Sequence, residues 1–217
     1  MIKRIIFDID NTLIPWEKQY DDEVKYTLEE MNIPYNEQEL KNIDKAISEY
    51  ENVNYILDKE KMSKFINEYT KKEYPKNFLE RILERWAECV PNETDKNLID
   101  VLEYLKEKYE LVILTDWFLE EQQIRLEKMN IWKYFSNIYT SENKKRKPFK
   151  EAFEQAIGKN KPEECIMIGD NIERDVQGAI NAGLEAIYYC KSAKIIKSNK
   201  NGKYITINKF EELKEIL

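Results

Sequence analysis

The residues best suited to chemistry stand where short apolar runs give way to polar ones. Asp8 and Asp10 follow Ile5-Ile6-Phe7, Thr115 and Asp116 follow Leu111 to Leu114, and Asp170, Asn171 and Asp175 follow Cys165 to Ile168. A basic segment, Lys144-Lys145-Arg146-Lys147-Pro148, precedes a helical pattern. The run Ile5 to Phe7 is too short for a buried helix and reads as a core strand with carboxylates at its C-terminal end. Side chains two apart on an extended chain share a face, so Asp8 and Asp10 should point the same way. At ~4 Å and an effective dielectric near 20 their repulsion is roughly 4 kcal/mol, which implies a cation beside them. The alternative is that the pair only caps the turn leaving the strand. The chain has 0 histidines. That removes Ser/His and Cys/His catalysis and imidazole-bound zinc, so carboxylates, Lys, Arg and hydroxyls must do any chemistry. A metal held by such oxygen ligands would be magnesium.

The elements that must position these residues follow two patterns. From Trp16 to about Asn92 amphipathic helices succeed one another: Val24, Leu28 and Met31; Leu40, Ile43 and Ile47; Met62, Phe65, Ile66 and Tyr69; Phe78, Ile82, Leu83 and Trp86. Pro34, Pro75 and Pro91 separate them, and no strand is evident. After Pro91, helices and strands alternate. A helix at Leu98 to Leu105 leads to a strand at Leu111 to Leu114, and a helix at Leu119 to Met129 leads to one at Asn137 to Tyr139. A helix at Phe149 to Ile157, stopped by Gly158, precedes the strand at Cys165 to Ile168, and a helix from about Asp175 to Ala182 follows it. Ala186 to Tyr189 and Tyr204 to Ile207 complete the strands, and Asn208 with Glu211 suggests a capping box for the last helix. This alternation predicts a mostly parallel sheet covered on both faces, with its site at the carboxyl ends of the strands.

Composition narrows the function. A formal net charge of −7 argues against a general binder of nucleic-acid polymers or membrane surfaces. No apolar run approaches a membrane span, and Met1 to Arg4 lead directly into the first strand, so a cytoplasmic protein is expected. Cys89, Cys165 and Cys190 are widely spaced, which fits reduced thiols and neither a disulfide framework nor a zinc cluster.

Each of these features alone could be structural: Thr115 a strand end, Lys144 to Lys147 a solvated loop, Gly169-Asp170-Asn171 an ordinary turn. In this order, however, they resemble the four motifs of the haloacid dehalogenase superfamily: DxDxT in Asp8 to Thr12, a strand ending in Thr115, Lys147 before a helix, and GDxxxxD in Gly169-Asp170 to Asp175. The resemblance covers residues 1 to about 14 and 93 to about 190. It implies a Rossmann-like three-layer α/β core, 1–15 and 93–217, with an inserted all-helical C1 cap, 16–92. In such a protein Asp8 would be the nucleophile and Asp10 the acid and base. Thr115, Asp116 and Lys147 would bind the phosphoryl group. Asp8, Asp170 and the Asp10 carbonyl would hold Mg²⁺, with Asp175 and Asn171 supporting them. The expected activity is Mg²⁺-dependent hydrolysis of a small phosphomonoester through an aspartyl phosphate, the insert moving as a lid hinged near Leu13–Trp16 and Val90–Glu93.

Two departures bear on this reading. Asn11 stands where many members have Gly, a mild change because Asn tolerates positive φ. Trp117 stands where a small residue is common, so its ring would narrow the site, stack on a substrate or pack under the cap. The rivals are a phosphomutase of β-phosphoglucomutase type and a catalytically idle binding module on the same fold. Dehalogenation gives Asp10 and a metal no evident role.

Overall fold

The computed structural model describes residues 1–16, 20, 22–142, 144–193 and 204–217. Among the described residues six strands form one sheet: β1 (Arg4–Phe7), β2 (Glu110–Thr115), β3 (Asn137–Thr140), β4 (Cys165–Gly169), β5 (Glu185–Tyr189) and β6 (Tyr204–Ile207). Their order is β3-β2-β1-β4-β5-β6, and every pairing among them is parallel. The strands fall where the apolar runs predict them. β1 is buried on both faces, and period-2 alternation divides it. Ile5 and Phe7 join a cluster with Val101, Leu102 and Leu105 of helix α5 (Lys96–Lys106), whereas Ile6 packs with Phe153 and Ala156 of α7 (Lys150–Ile157) and Ala179 of α8 (Gly178–Ala182). Helix α6 (Leu119–Lys128) adds Leu126 to the first cluster, and α9 (Leu213–Ile216) adds Leu213.

The chain runs outward from β1 through β2 to β3 and then returns to β1's other side with β4. That reversal leaves a crevice between the carboxyl ends of β1 and β4, the place where open α/β sheets bind ligands. Asp8 and Asp170 follow those two strand ends.

Between β1 and α5 lie α1 (Glu23–Glu30), α2 (Glu37–Val53), α3 (Lys59–Thr70) and α4 (Phe78–Glu88). They bury a cluster of their own, including Leu28, Ile43, Tyr50, Met62, Ile66, Phe78, Ile82 and Leu83, and Phe118 of the core is buried within it. The insert also meets the core at a place away from its two connecting segments. Between α2 and α3 the chain is extended, and its backbone pairs with the loop after β3. Leu57 N–H donates to Ser141 O at 3.1 Å, and Arg146 N–H donates to Tyr55 O at 2.9 Å. Bridges Ile56–Lys145 and Leu57–Glu142, and a Lys59–Glu121 ion pair at 2.6 Å, complete the tie. Helical periodicity is silent about this contact because it lies in a stretch too short to show a period. No helix among the described residues is long and apolar enough to cross a membrane.

Two sequence expectations need correction. The helix after β4 starts earlier than Asp175, as a π-helical turn Ile172–Gln177 running into α8. Asn171 caps it, its Oδ1 accepting from Glu173 N–H at 3.0 Å and Arg174 N–H at 2.9 Å. The last helix opens with a 3₁₀ turn, Phe210–Glu212, which shifts the cap by one residue. Glu212, rather than Glu211, therefore accepts the Asn208 N–H at 3.0 Å and the Lys209 N–H at 2.9 Å.

Candidate active site

The loop after β1 is held by its own backbone. Thr12, Leu13 and Ile14 N–H groups all donate to Ile9 O, at 3.2, 2.9 and 2.9 Å. Asn11 takes φ 57°, the left-handed region that Asn enters more readily than most residues, and its Oδ1 accepts the Trp16 N–H at 3.0 Å. This tight turn fixes where Asp8 and Asp10 stand, and it sends the chain off toward the insert.

Asp8 is buried, held by one cation and one hydroxyl. Lys147 Nζ donates to Asp8 Oδ1 at 2.6 Å and to Asp175 Oδ1 at 2.6 Å, and Thr12 Oγ1 donates to Asp8 Oδ2 at 3.2 Å. Burial works against the charged form of Lys147, but the carboxylates of Asp175, Asp8 and Asp116 outweigh it and hold the ammonium's pKa above that of an ordinary lysine. Burial raises the Asp8 carboxyl above its usual range, with Lys147 opposing. Asp170, beside Asp8, is pushed up to about 6, first by burial and then by Asp175.

Asp175 reaches this place because the π turn folds it back over β4. Its Oδ2 accepts the Asn171 N–H at 2.9 Å. A Cβ at Gly169 would stand 2.3 Å from that same Oδ2, so the glycine is required by the close approach of Asp175.

One carboxylate oxygen each from Asp8, Asp170 and Asp175 lie within 4.8 Å of one another. An all-oxygen donor set of this size suits a hard divalent cation. The Asp10 side chain turns elsewhere: Arg125 Nη1 donates to its Oδ1 at 2.6 Å and Gln122 Nε2 to its Oδ2 at 2.8 Å. The cations that offset the Asp8 and Asp10 charges thus include two from the protein, Lys147 and Arg125, in addition to any metal. Repulsion between the two carboxylates, taken alone, does not require an ion.

Thr115 is buried at the end of β2, its Oγ1 accepting from the same Gln122 Nε2 at 2.9 Å. Asp116, expected beside phosphate, turns its Oδ1 to the Lys147 backbone N–H at 2.9 Å. That bond ties the end of β2 to the lysine loop, and Asp116 also lines the cavity. Trp117 packs under the insert and faces the site. It packs 5.9 Å from Trp86 of α4 and 5.1 Å from Phe118, and it lines the site.

Asp116 and Trp117, though not the buried Thr115, open on a cavity of about 510 Å³ between core and insert. Its floor carries Asp8, Asp10, Lys147, Asp170 and Asp175; its walls carry Trp16, Trp86 and Trp117, and α2 contributes Asp44, Ser48 and Glu51. Burial pushes the Glu51 carboxyl up to about 7, against the attraction of Arg146 and Arg174. Sequence reasoning missed Gln122, Arg125, Tyr20, Glu51 and Arg174. The one available signal was the spacing of Gln122 and Arg125, three apart on α6 and so on one face.

The sequence profile described as haloacid dehalogenase-like hydrolase matches residues 5–189. The chain belongs to that family. It is a hydrolase of the superfamily, and its relatives include named phosphatases and a nucleotidase. It is 28% identical over 204 residues to pyrimidine 5'-nucleotidase PynA of Streptococcus pneumoniae, covering 86% of this chain and 83% of that one. Over 135 residues it is 34% identical to glyceraldehyde 3-phosphate phosphatase of Methanothermobacter thermautotrophicus, covering 58% of each protein. The fold matches the crystal structure of the putative HAD-hydrolase YfnB of Bacillus subtilis, bound to magnesium, with TM-score 0.72 at 23% identity, over 100% of this chain and 98% of that one.

Proposed function

We propose that this protein is a Mg²⁺-dependent phosphatase of small phosphomonoesters that works through an aspartyl phosphate on Asp8. The observation that carries the reading is the separate custody of two neighbouring carboxylates, Asp8 by Lys147 and Asp10 by Arg125 and Gln122. Two carboxyl groups in different environments are the arrangement that divides nucleophile from acid and base.

In the first step an Asp8 oxygen forms a bond to phosphorus while the ester P–O bond breaks, and Asp10 gives its proton to the departing alkoxide. In the second, water attacks phosphorus, the Asp8–phosphorus bond breaks, and Asp10 takes the proton back. Lys147 lies beside the attacking oxygen and offsets the negative charge that would repel it. Asp8 and Asp170, with the Asp10 carbonyl, would hold Mg²⁺, which supplies charge neutralisation to the phosphoryl oxygens. Asp175 keeps Lys147 in place, and Thr115 would contribute its hydroxyl to the phosphoryl group. The insert would close over the site as a lid, which requires the tie at Tyr55 to Leu57 to form and release with it.

The walls favour an ester that carries a ring. Trp16, Trp86 and Trp117 line the cavity, and a base that stacked on an aromatic ring there would gain about 1–3 kcal/mol. PynA is named for pyrimidine 5'-nucleotides, so these lead the substrate panel, with sugar phosphates and glyceraldehyde 3-phosphate beside them. Purified protein with Mg²⁺ should release phosphate from at least one such ester and, in H₂¹⁸O, place one labelled oxygen in it. Transfer to an acceptor without label would identify a mutase, and no turnover of any ester would leave the idle module.

A further inference from the structure

We propose that Arg125 is a positioning residue for Asp10, aiming the acid/base carboxylate and tying its direction to the insert through Tyr20. This rests on the phosphatase reading above.

Arg125 is 2% exposed, far less than a charged residue on a helix surface commonly is. Its guanidinium spans two bodies. Nη1 donates to Asp10 Oδ1 and to Gln122 Oε1, both at 2.6 Å, while Nη2 donates to Tyr20 OH at 3.0 Å. The Tyr20 ring stacks on Trp16 with centroids 3.9 Å apart, and the Arg125 cation lies 5.5 Å from the Tyr20 ring and 5.7 Å from the Trp16 ring. Tyr20 is anchored in turn, since its carbonyl accepts the Trp86 Nε1–H of α4 at 3.1 Å. A continuous path therefore runs from Asp10 through Arg125 and Tyr20 to α4, beside both segments that join the insert to the core.

Gln122 completes the arrangement. Its Nε2 holds Asp10 Oδ2 while also meeting Thr115 Oγ1, so both oxygens of Asp10 are committed to side chains of α6. A carboxylate gripped at both oxygens has one rotamer, and that rotamer changes only if Arg125 or Gln122 moves. Arg125 can move only with Tyr20 and its stacked partner. The position of the insert thereby sets where the proton donor points, which matters for esters whose leaving oxygen must be protonated and little for those whose leaving group departs as an anion.

The test compares two esters in wild type, Arg125→Gln, Arg125→Lys and Tyr20→Phe. The quantity is kcat/KM, which ends at departure of the first alcohol. One substrate is 4-nitrophenyl phosphate, whose leaving group needs no proton; the other is the best alkyl phosphate from the panel. Arg125→Gln should lower kcat/KM for the alkyl ester by about 100-fold, the scale of lost general-acid help, with a loss on the aryl ester at least about tenfold smaller. Arg125→Lys keeps the charge but cannot bridge both partners, and Tyr20→Phe keeps the ring but not the link. Each should move the alkyl-to-aryl ratio in the same direction by about tenfold. Should Arg125→Gln fail to give a native circular dichroism spectrum, the other two variants decide. Equal losses on both esters, or an unmoved ratio, would make Arg125 merely structural and overturn the proposal. Asp8→Asn separates the two readings. If it is inactive while the Arg125 ratio is unmoved, only the Arg125 role fails; if it turns over like wild type, the aspartyl-phosphate reading fails and takes this one with it.

Discussion

Replacing Lys147 by Met tests the centre of the site through stability as well as activity. Met fills nearly the same volume, so the change removes charge and leaves little cavity. Lys147 Nζ stands 2.6 Å from Asp8 and 2.6 Å from Asp175, and all three side chains are buried. Without it, two buried carboxylates face each other with no counterion. Breaking a buried pair from one side costs about 3–5 kcal/mol. For a chain of this size each kcal/mol lowers the midpoint by about 2–4 °C, so the chelated variant should melt roughly 6–20 °C below wild type. Mg²⁺ at about 100 times its Kd adds about 2.7 kcal/mol of stability to a protein that binds it only when folded. Its effect should be larger in the variant, where the ion replaces a missing charge. Protonation is the other remedy. Burial already holds the Asp8 carboxyl high, so the variant's native state takes up a proton more readily than its unfolded state. The stability deficit should therefore shrink as pH falls and grow as it rises. Thermal unfolding followed by circular dichroism, in EDTA and in Mg²⁺ at two pH values, measures all of this, and turnover should drop by about 100-fold or more. A variant as stable as wild type in EDTA would refute the charge balance argued for Lys147. If Mg²⁺ shifted neither protein, Asp8 and Asp170 would not hold a cation.

Asp8→Asn should fold normally and lose turnover, because an amide neither attacks phosphorus nor binds the ion as an anion; wild-type rates from it in a phosphate-release assay would sink the mechanism. Asp10→Asn should be severely impaired on poorly activated esters, and parity with wild type there would remove its acid/base role. EDTA should abolish phosphate release and Mg²⁺ restore it, with Ca²⁺ restoring little, since its looser and higher-coordinate shell fits a poised nucleophile poorly; full activity in chelator would contradict the metal site. Glu51→Gln should stabilise the protein at pH 8 and hardly at all at pH 4.5. The native carboxyl, held up to about 7 by burial, resists an ionisation that the unfolded chain completes near its usual value of 4.5, so wild type loses stability as pH rises between those values. The gain is at most about 3 kcal/mol, and an equal gain at both pH values would mean that packing, not charge, explains it.

Short apolar runs ending in Asp8, Thr115 and Asp170 were enough to locate the strand ends, because a strand buried on both faces has no polar residue to hide and the first carboxylate marks where it leaves the core. The residue type of Asn11, standing where the family motif often has Gly, also indicated that it could take a positive φ, as it does. What the sequence could not reveal is which charges meet. Arg125 and Gln122 sit in Leu119-Glu120-Glu121-Gln122-Gln123-Ile124-Arg125, a stretch that reads as a solvated helix surface. Only the packing of α6 between sheet and insert buries that face and aims it at Asp10. The same holds for Glu51, which lies on the amphipathic helix α2 and faces the cavity only because the insert folds back over β1. A local pattern records whether a side chain can be buried, whereas its partners come from elements far along the chain, as in Lys59–Glu121 (62 apart), Arg125–Asp10 (115 apart) and Lys147–Asp8 (139 apart). Those distances are closed by the tertiary fold, and the division of Asp8 and Asp10 between two different cations is decided there.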